Sequence, residues 1–198
     1  MIKKLLKIVQ SQQIEILNGV TISSYRKLDN QIKIITDKHH AFETKNLLIA
    51  TNGFAKTILP HLDVEPARAQ VLITKPIKNL KLNGTFHMDE GYYYFRNINS
   101  RLLFGGGRNL DFEGEKTTQI TTSPVIQAQL EHLLKEVIIP EHQFEIDMRW
   151  SGIMGVGETK KPIIQEIEPN VYCGVRMGGM GVAIGSIIGE KLAHLTEK

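Results

Sequence analysis

The run Gly174-Val175-Arg176-Met177-Gly178-Gly179-Met180-Gly181-Val182-Ala183-Ile184-Gly185 constrains the fold more than any other stretch of this chain. The residues before it, Asn170-Val171-Tyr172-Cys173, read as a short strand, and Val182 to Leu195 read as a helix that is apolar on most sides. A strand therefore delivers bare backbone to one edge of a sheet, just where a helix begins. The first amides of that helix lack partners within it, and the aligned peptide dipoles add partial positive charge. Such an edge suits a phosphate, a carboxylate or an electron-rich heterocycle. Gly181, Gly185 and Gly189 recur every four residues, which equally suits close helix packing. Gly178 and Gly179 precede the helix, where packing does not call for them. The run is not the dinucleotide fingerprint, because Ile184 stands where its third glycine belongs, and no GxGxxG or GxxxxGK[ST] occurs elsewhere.

The 198 residues suffice for one large domain or two small ones sharing a core. A net charge of +3, with the Lys and Arg scattered, argues against a nucleic-acid partner. Lys3-Lys4-Leu5-Leu6-Lys7 resembles the start of a signal peptide, but the apolar stretch is short and breaks into Gln10-Ser11-Gln12-Gln13. No segment is long and apolar enough to predict a membrane span. The single cysteine, Cys173, excludes an internal disulfide and a cysteine-based metal cluster; buried packing is its expected role. A cytoplasmic location fits these features.

Ile2 to Gln10 is expected to form a short helix with Leu5, Ile8 and Val9 inward. Ile14-Glu15-Ile16, Val20 to Tyr25 and Gln31 to Thr36 read as strands, the last two joined across Leu28-Asp29-Asn30. After Ala41-Phe42-Glu43, the run Asn46 to Ala50 is continuously apolar, which predicts a strand buried on both faces. It stops at the turn Thr51-Asn52-Gly53, a second candidate ligand edge, since ligands gather at the carboxyl ends of buried strands. Arg68 to Thr74 reads as a strand, and Tyr92 to Phe104 as a hairpin on the four-residue loop Asn97 to Ser100, closed by Gly105-Gly106-Gly107. Ser123-Pro124 opens a helix with the stripe Ile126, Leu130, Leu133, Leu134 and Val137, ended by Pro140. Residues 67–147 thus read as an antiparallel sheet with one helix, flanked by α/β material.

No HExxH or other helical histidine pair predicts a metal site, and His39-His40 fall in a turn. No GxSxG elbow supports a serine hydrolase. Asp89-Glu90 and Glu166/Glu168 read as surface charge. Of the aromatic strand Tyr92 to Phe95, one face is expected to be core; tyrosines on the other would offer a pocket an apolar wall and a hydroxyl.

Several segments, taken in order, resemble one family. They are Ile14-Glu15-Ile16 through Val20, Leu48 to Gly53, the tyrosine strand, Leu103-Phe104-Gly105-Gly106-Gly107-Arg108, Trp150-Ser151-Gly152 with Pro162-Ile163-Ile164, and Gly178-Gly179-Met180-Gly181. The chain resembles the carboxyl-terminal half of a FAD-dependent oxidoreductase of the D-amino acid oxidase, glycine oxidase and sarcosine oxidase family. The resemblance implies an α/β fold: a truncated, Rossmann-like FAD-binding domain (1–66 and 148–198) packed with an α+β substrate-binding domain (67–147). It implies that Val20 meets the adenine and that Ala50, Thr51 and Gly53 pass beside the ADP portion. It further implies that the backbone of Gly178, Gly179, Met180 and Gly181 meets the flavin ring. Tyr92 and Tyr94 match the strand lining the substrate face, and Trp150 and Met154 a strand end nearby. The implied reaction is hydride transfer to flavin from a carbon bonded to nitrogen, in a small-molecule amine or amino acid.

The chain departs from the family pattern in four places. The amino-terminal βαβ unit with GxGxxG is absent, so FAD affinity is expected to be reduced or lost. Met154 stands near where amino-acid-oxidising members carry a carboxylate-binding arginine; Arg108 or Arg96 are the candidates to replace it. No cysteine lies near Trp150 to Met154, so the flavin is expected to be noncovalent. Met1 falls where a helix of the family's FAD domain would start, as in a truncated chain. The alternative reading is a noncatalytic or split-protein fragment that does not bind flavin alone and pairs with a separate amino-terminal βαβ polypeptide. Exposed sheet edges and apolar surface also favour a homo-oligomer.

Overall fold

Residues Met1–Leu47 form one unit and Leu48–Lys198 a second. The computed structural model describes residues 2–38 and 40–197, so the readings of Met1 and His39 lie outside the described residues.

In the first unit, helix α1 (Ile2–Ser11) precedes a three-stranded antiparallel sheet in the order β1 (Ile22–Lys27), β2 (Ile32–Thr36), β3 (Ala41–Thr44). The expected helix is present but its inward face is not: no residue of α1 is buried, and Leu5 and Ile8 are about half exposed. Amphipathic spacing reports which face seeks cover, not what covers it. Ile14-Glu15-Ile16 is irregular rather than a strand, because it pairs with no neighbour among the described residues. The sheet buries Ile32 and Thr36.

The second unit holds two sheets. Strand β4 (Leu47–Ile49) forms one edge of a three-stranded sheet beside β11 (Val171–Val175), with β10 (Ile163–Glu168) beyond. β4 is not buried on both faces as expected. Ile49 is buried while its neighbour Leu48 is exposed, as pleat alternation requires when one face only is covered. The strand β11 is buried throughout. Helix α3 (Gly181–His194) packs on this sheet through Ile188 and Leu192. Close approach occurs at Gly174, where a Cβ would lie 3.0 Å from Leu192 and 3.2 Å from Ile188. The helix glycines are not the close-packing positions their spacing suggested: a Cβ on Gly189 would meet nothing within 4 Å.

The larger sheet runs β6 (Thr85–Met88), β7 (Tyr93–Ile98), β8 (Arg101–Gly106), β5 (Glu65–Thr74), β9 (Ile146–Val156), antiparallel throughout. β9 pairs with β5 along its length, so the sheet continues past residue 147. The β7–β8 loop has two residues, not four. Asn99 and Ser100 both have positive φ (49° and 59°), the turn whose twist matches that of the strands. Helix α2 (Pro124–Leu133) covers one face of this sheet, burying Ile126, Leu130 and Leu134 against Leu72, Tyr93, Leu102 and Phe104. The helix passes into a π turn over Leu134–Ile138, and Val137 is exposed rather than part of the stripe. The extra residue in that turn rotates the later side chains off the helical phase.

Beneath the same end of α2 lies a buried polar network. Arg68 donates to both carboxylate oxygens of Glu115 (2.9 and 2.7 Å), and Gln70 donates to Glu115 at 2.9 Å. Gln127 donates to Gln70, and Arg149 to Gln127 and Glu131. Every member has a partner, which is the condition for burying charge without a large penalty.

Candidate functional site

The site grows from three short segments that meet in the second unit. Asn52 has φ 46° and opens a 3₁₀ turn after β4. Its side-chain oxygen accepts a hydrogen bond from the amide of Met177 at 3.1 Å. The amide of Gly178 donates to the carbonyl of Gly155 in β9 at 2.9 Å. Gly53 and Gly155 let these backbones close in. A Cβ on Gly53 would lie 2.5 Å from the Met154 carbonyl, and one on Gly155 would lie 2.7 Å from the Asn52 side chain. Gly53, buried here, is therefore a packing glycine, while Ala50 and Thr51 beside it are exposed.

The glycine turn leaves β11 through Arg176, whose φ is 62°. The guanidinium donates to the carboxylate and carbonyl of Asp63, the carbonyl of Lys161 and the hydroxyl of Thr159. Thus tethered, the chain turns at Gly178 (φ 54°) and Gly179 (φ 84°), conformations that favour glycine. Gly178, Gly179 and Met180 are exposed. A Cβ on Gly178 would meet nothing within 4 Å; one on Gly179 would lie 3.1 Å from the Met154 sulfur. Met180 precedes α3 without a side-chain cap, and its own amide donates to the Met177 carbonyl. The expected arrangement of bare backbone at a helix start, open on one side, is what the structure contains.

Cross-strand register places the remaining candidates. His87, Tyr94, Gly105, Val71 and Trp150 stand opposite one another across β6, β7, β8, β5 and β9. Residues so paired share a face, here the face opposite α2. Tyr94 lies down over Gly105, where a Cβ would fall 2.7 Å from its ring and hydroxyl. Burial pushes the Tyr94 phenol above the ordinary tyrosine range. Trp150 is 40% exposed. Two residues along β9 towards the glycine turn comes Gly152, paired with Ala69, and then Met154, paired with Ala67.

Tyr92 does not join this row. It precedes β7 with helical φ/ψ and meets Phe112 edge-on, with ring centroids 5.9 Å apart. Arg108 stands over the same Phe112 ring at 4.8 Å. Arg108 and Phe112 also line a cleft of about 410 Å³ with Asp63, Glu65, Lys116 and Glu158. Within that cleft Glu65 is engaged by Lys56 and Lys116, and Asp63 by Arg176, so much of its charge is already spent. Glu65 titrates below the ordinary glutamate range, chiefly through its hydrogen bond from Lys56. Val20 belongs to the first unit, where it is exposed beside Gly19 (φ 70°). Cys173 is buried, and burial raises its thiol. No group of three or more His, Cys, Asp or Glu among the described residues could hold a metal ion.

Asn52 and Arg176 had not stood out in the sequence as site residues. The Asn-Gly pair was a visible turn signal, but its tie to Met177, 125 positions away, was not.

The family model described as FAD dependent oxidoreductase (DAO) matches residues 1–195. The chain belongs to this family. Solved structures of the DAO type share its fold. L-proline dehydrogenase from P. horikoshii superimposes with a TM-score of 0.75 at 19% identity, over 95% of this chain and 52% of the other. Glycine oxidase from Geobacillus kaustophilus gives 0.75 at 18%, over 90% and 48%. L-alpha-glycerophosphate oxidase from Mycoplasma pneumoniae, solved with FAD bound, gives 0.74 at 16%, over 98% and 55%. The chain spans about half the length of these DAO structures. No curated protein matches it. No helix among the described residues is long and apolar enough to cross a membrane.

Proposed function

We propose that this chain is the part of an FAD-dependent oxidoreductase that backs the flavin ring and forms the substrate face. The reaction would be oxidation of a carbon–nitrogen bond in an amine or amino acid. The observation that carries this reading is the exposed Gly178–Gly179 backbone, with open space beside Gly178, leading into the uncapped start of α3. A side chain at Gly178 would fill the space a flat ring needs. The start of α3 supplies partial positive charge, which favours a ring that gains electrons.

Gly178, Gly179, Met180 and Gly181 would hold the ring noncovalently, and Ala50, Thr51 and Gly53 would pass the ADP portion. When bound, FAD would supply the hydride acceptor, and a substrate that gave up a hydride from the carbon next to nitrogen and a proton from the nitrogen would leave as an imine. Tyr94, Trp150 and Met154 would then position the substrate, with Tyr92 and Arg108 as further substrate-side residues. In this scheme 1–66 and 148–198 serve the cofactor and 67–147 the substrate, except that the β9 residues Trp150 and Met154 belong to the substrate sheet. A βαβ unit with a GxGxxG turn, on this or a separate polypeptide, would hold the pyrophosphate.

Mixing the purified chain with FAD tests the reading. At excess FAD, bound oxidised flavin is expected to give a perturbed absorbance band near roughly 450 nm in a difference spectrum, because the chromophore belongs to the cofactor. Gly179→Val should abolish it: the new side chain meets Met154 and a φ of 84° that valine resists. Flavin retention by this variant would count against the site.

A further inference from the structure

We propose that the open face of the five-stranded sheet takes an amine bearing a compact apolar group and no carboxylate, and that Gly152 sets the size of that group. This rests on the flavin-side reading above and specifies its substrate. Gly152 is exposed, and a Cβ there would meet nothing within 4 Å. Its cross-strand partner is Ala69, also small and partly exposed. Together they floor a trough. At one end stands Met154, with its sulfur beside Gly179. At the other, about 7 Å along β9, stands Trp150 with its partner Val71. Tyr94 starts three strands away, about 14 Å across the sheet, but leans inward over Gly105.

Every position around the floor is neutral: Ala67, Ala69, Val71, Trp150, Met154 and Gly179. The arginines nearby in sequence are committed elsewhere. Arg68 and Arg149 bond to Glu115 and to Gln127 and Glu131 on the opposite face. Arg101 is held by Asp147 and the Thr74 carbonyl, and Arg176 by Asp63, Lys161 and Thr159. Arg96 shares the open face, but it pairs with Leu103, one row beyond Tyr94 on β7. That puts it about 14 Å across and about 14 Å along from Gly152. Arg108 stands over the Phe112 ring in the cleft with Asp63, Glu65 and Glu158, so a carboxylate on the floor would lose water with no cation among the floor residues, a costly exchange.

Trp150 is the only tryptophan, so its fluorescence reports on the trough with or without flavin. The full chain, FAD-free and FAD-loaded, is titrated with N-methylbenzylamine and with benzoate. The amine should change the emission saturably, and benzoate should need at least tenfold higher concentration. Gly152→Leu should weaken the amine response at least tenfold with an unchanged thermal midpoint, and Met154→Arg should bring a benzoate response. Equal responses to both ligands in the parent chain, or full amine affinity in Gly152→Leu, would overturn the proposal. An amine response without FAD binding keeps the trough and removes the flavin assignment; FAD binding without an amine response does the reverse.

Discussion

The two faces of the five-stranded sheet are built from the same strands, residue by residue, and meet opposite fates. On the face under α2, Leu72, Phe104 and Leu102 are wholly buried, and even the polar residues Arg68, Gln70 and Glu115 are sealed in with partners. On the other face Ala67 and Ile73 are buried, but Trp150 and Met148 are exposed, Gly152 is open, and Tyr94 lies over Gly105 beside His87. Alternation along each strand separates the two populations by a single residue: Arg149 reaches α2 while Trp150 beside it does not. Stability is concentrated on one face, so the other is free to carry side chains chosen for a ligand.

The sharpest way to break this contrast is to damage the covered face at its charged centre. Glu115→Ala leaves the Arg68 guanidinium buried without its two carboxylate contacts. Loss of one partner of a buried pair costs about 3–5 kcal/mol, read as a lower urea midpoint. A loss below about 1 kcal/mol would mean that water already reaches this network.

The next comparison sets one apolar residue on each face side by side. Leu130→Ala, on α2 and wholly buried, should cost about 2–5 kcal/mol. Trp150→Ala, although it removes a larger side chain, should stay within about 1 kcal/mol, because 40% of Trp150 is already in water. Denaturant unfolding of the two variants gives both numbers. If Trp150→Ala proved the more damaging, the open face would be core and the trough would not exist.

Much of this division was readable from the sequence, though not where it mattered most. The strand at 68–74 and the 92–104 hairpin follow from alternation and turn residues, and the α2 stripe as far as Leu134 from helical spacing; β6 and the order of the strands do not. The face assignment of Tyr94 was not readable, because the alternation Tyr92-Tyr93-Tyr94-Phe95 places aromatics on both sides. Register against Gly105 and Val71 decides it, and register is a long-range property. The glycines divided in the same way. Gly178 and Gly179 were legible as bare backbone ahead of the helix, and both are exposed there. Gly53 read as a turn glycine, yet it and Gly155, which had not stood out, let the Asn52 turn and β9 close on one another. α1 showed the converse limit: its stripe was legible, but nothing within one helix says whether the stripe is covered.

The smallest expected effect separates the two faces through protons alone. Tyr93 points into the covered face and Tyr94 into the open one, yet burial raises both phenols. A phenol whose folded pKa lies above its unfolded one contributes stability that is complete below the unfolded pKa. That contribution is lost as pH rises towards the folded value, since only the unfolded chain can then release the proton. Stability should therefore decline once pH passes the ordinary tyrosine range, and ultraviolet difference titration should show the Tyr93 and Tyr94 phenols ionising late. Tyr94→Phe should remove one late phenol and leave the neutral-pH midpoint nearly unchanged. Gly105→Ala should act on Tyr94 from below: the new methyl lifts the ring off the sheet, and the late phenol should return to the ordinary range while Tyr93 stays late. If both phenols returned together, the faces would be coupled through the strand rather than independent, and the open face could not be altered without disturbing the core.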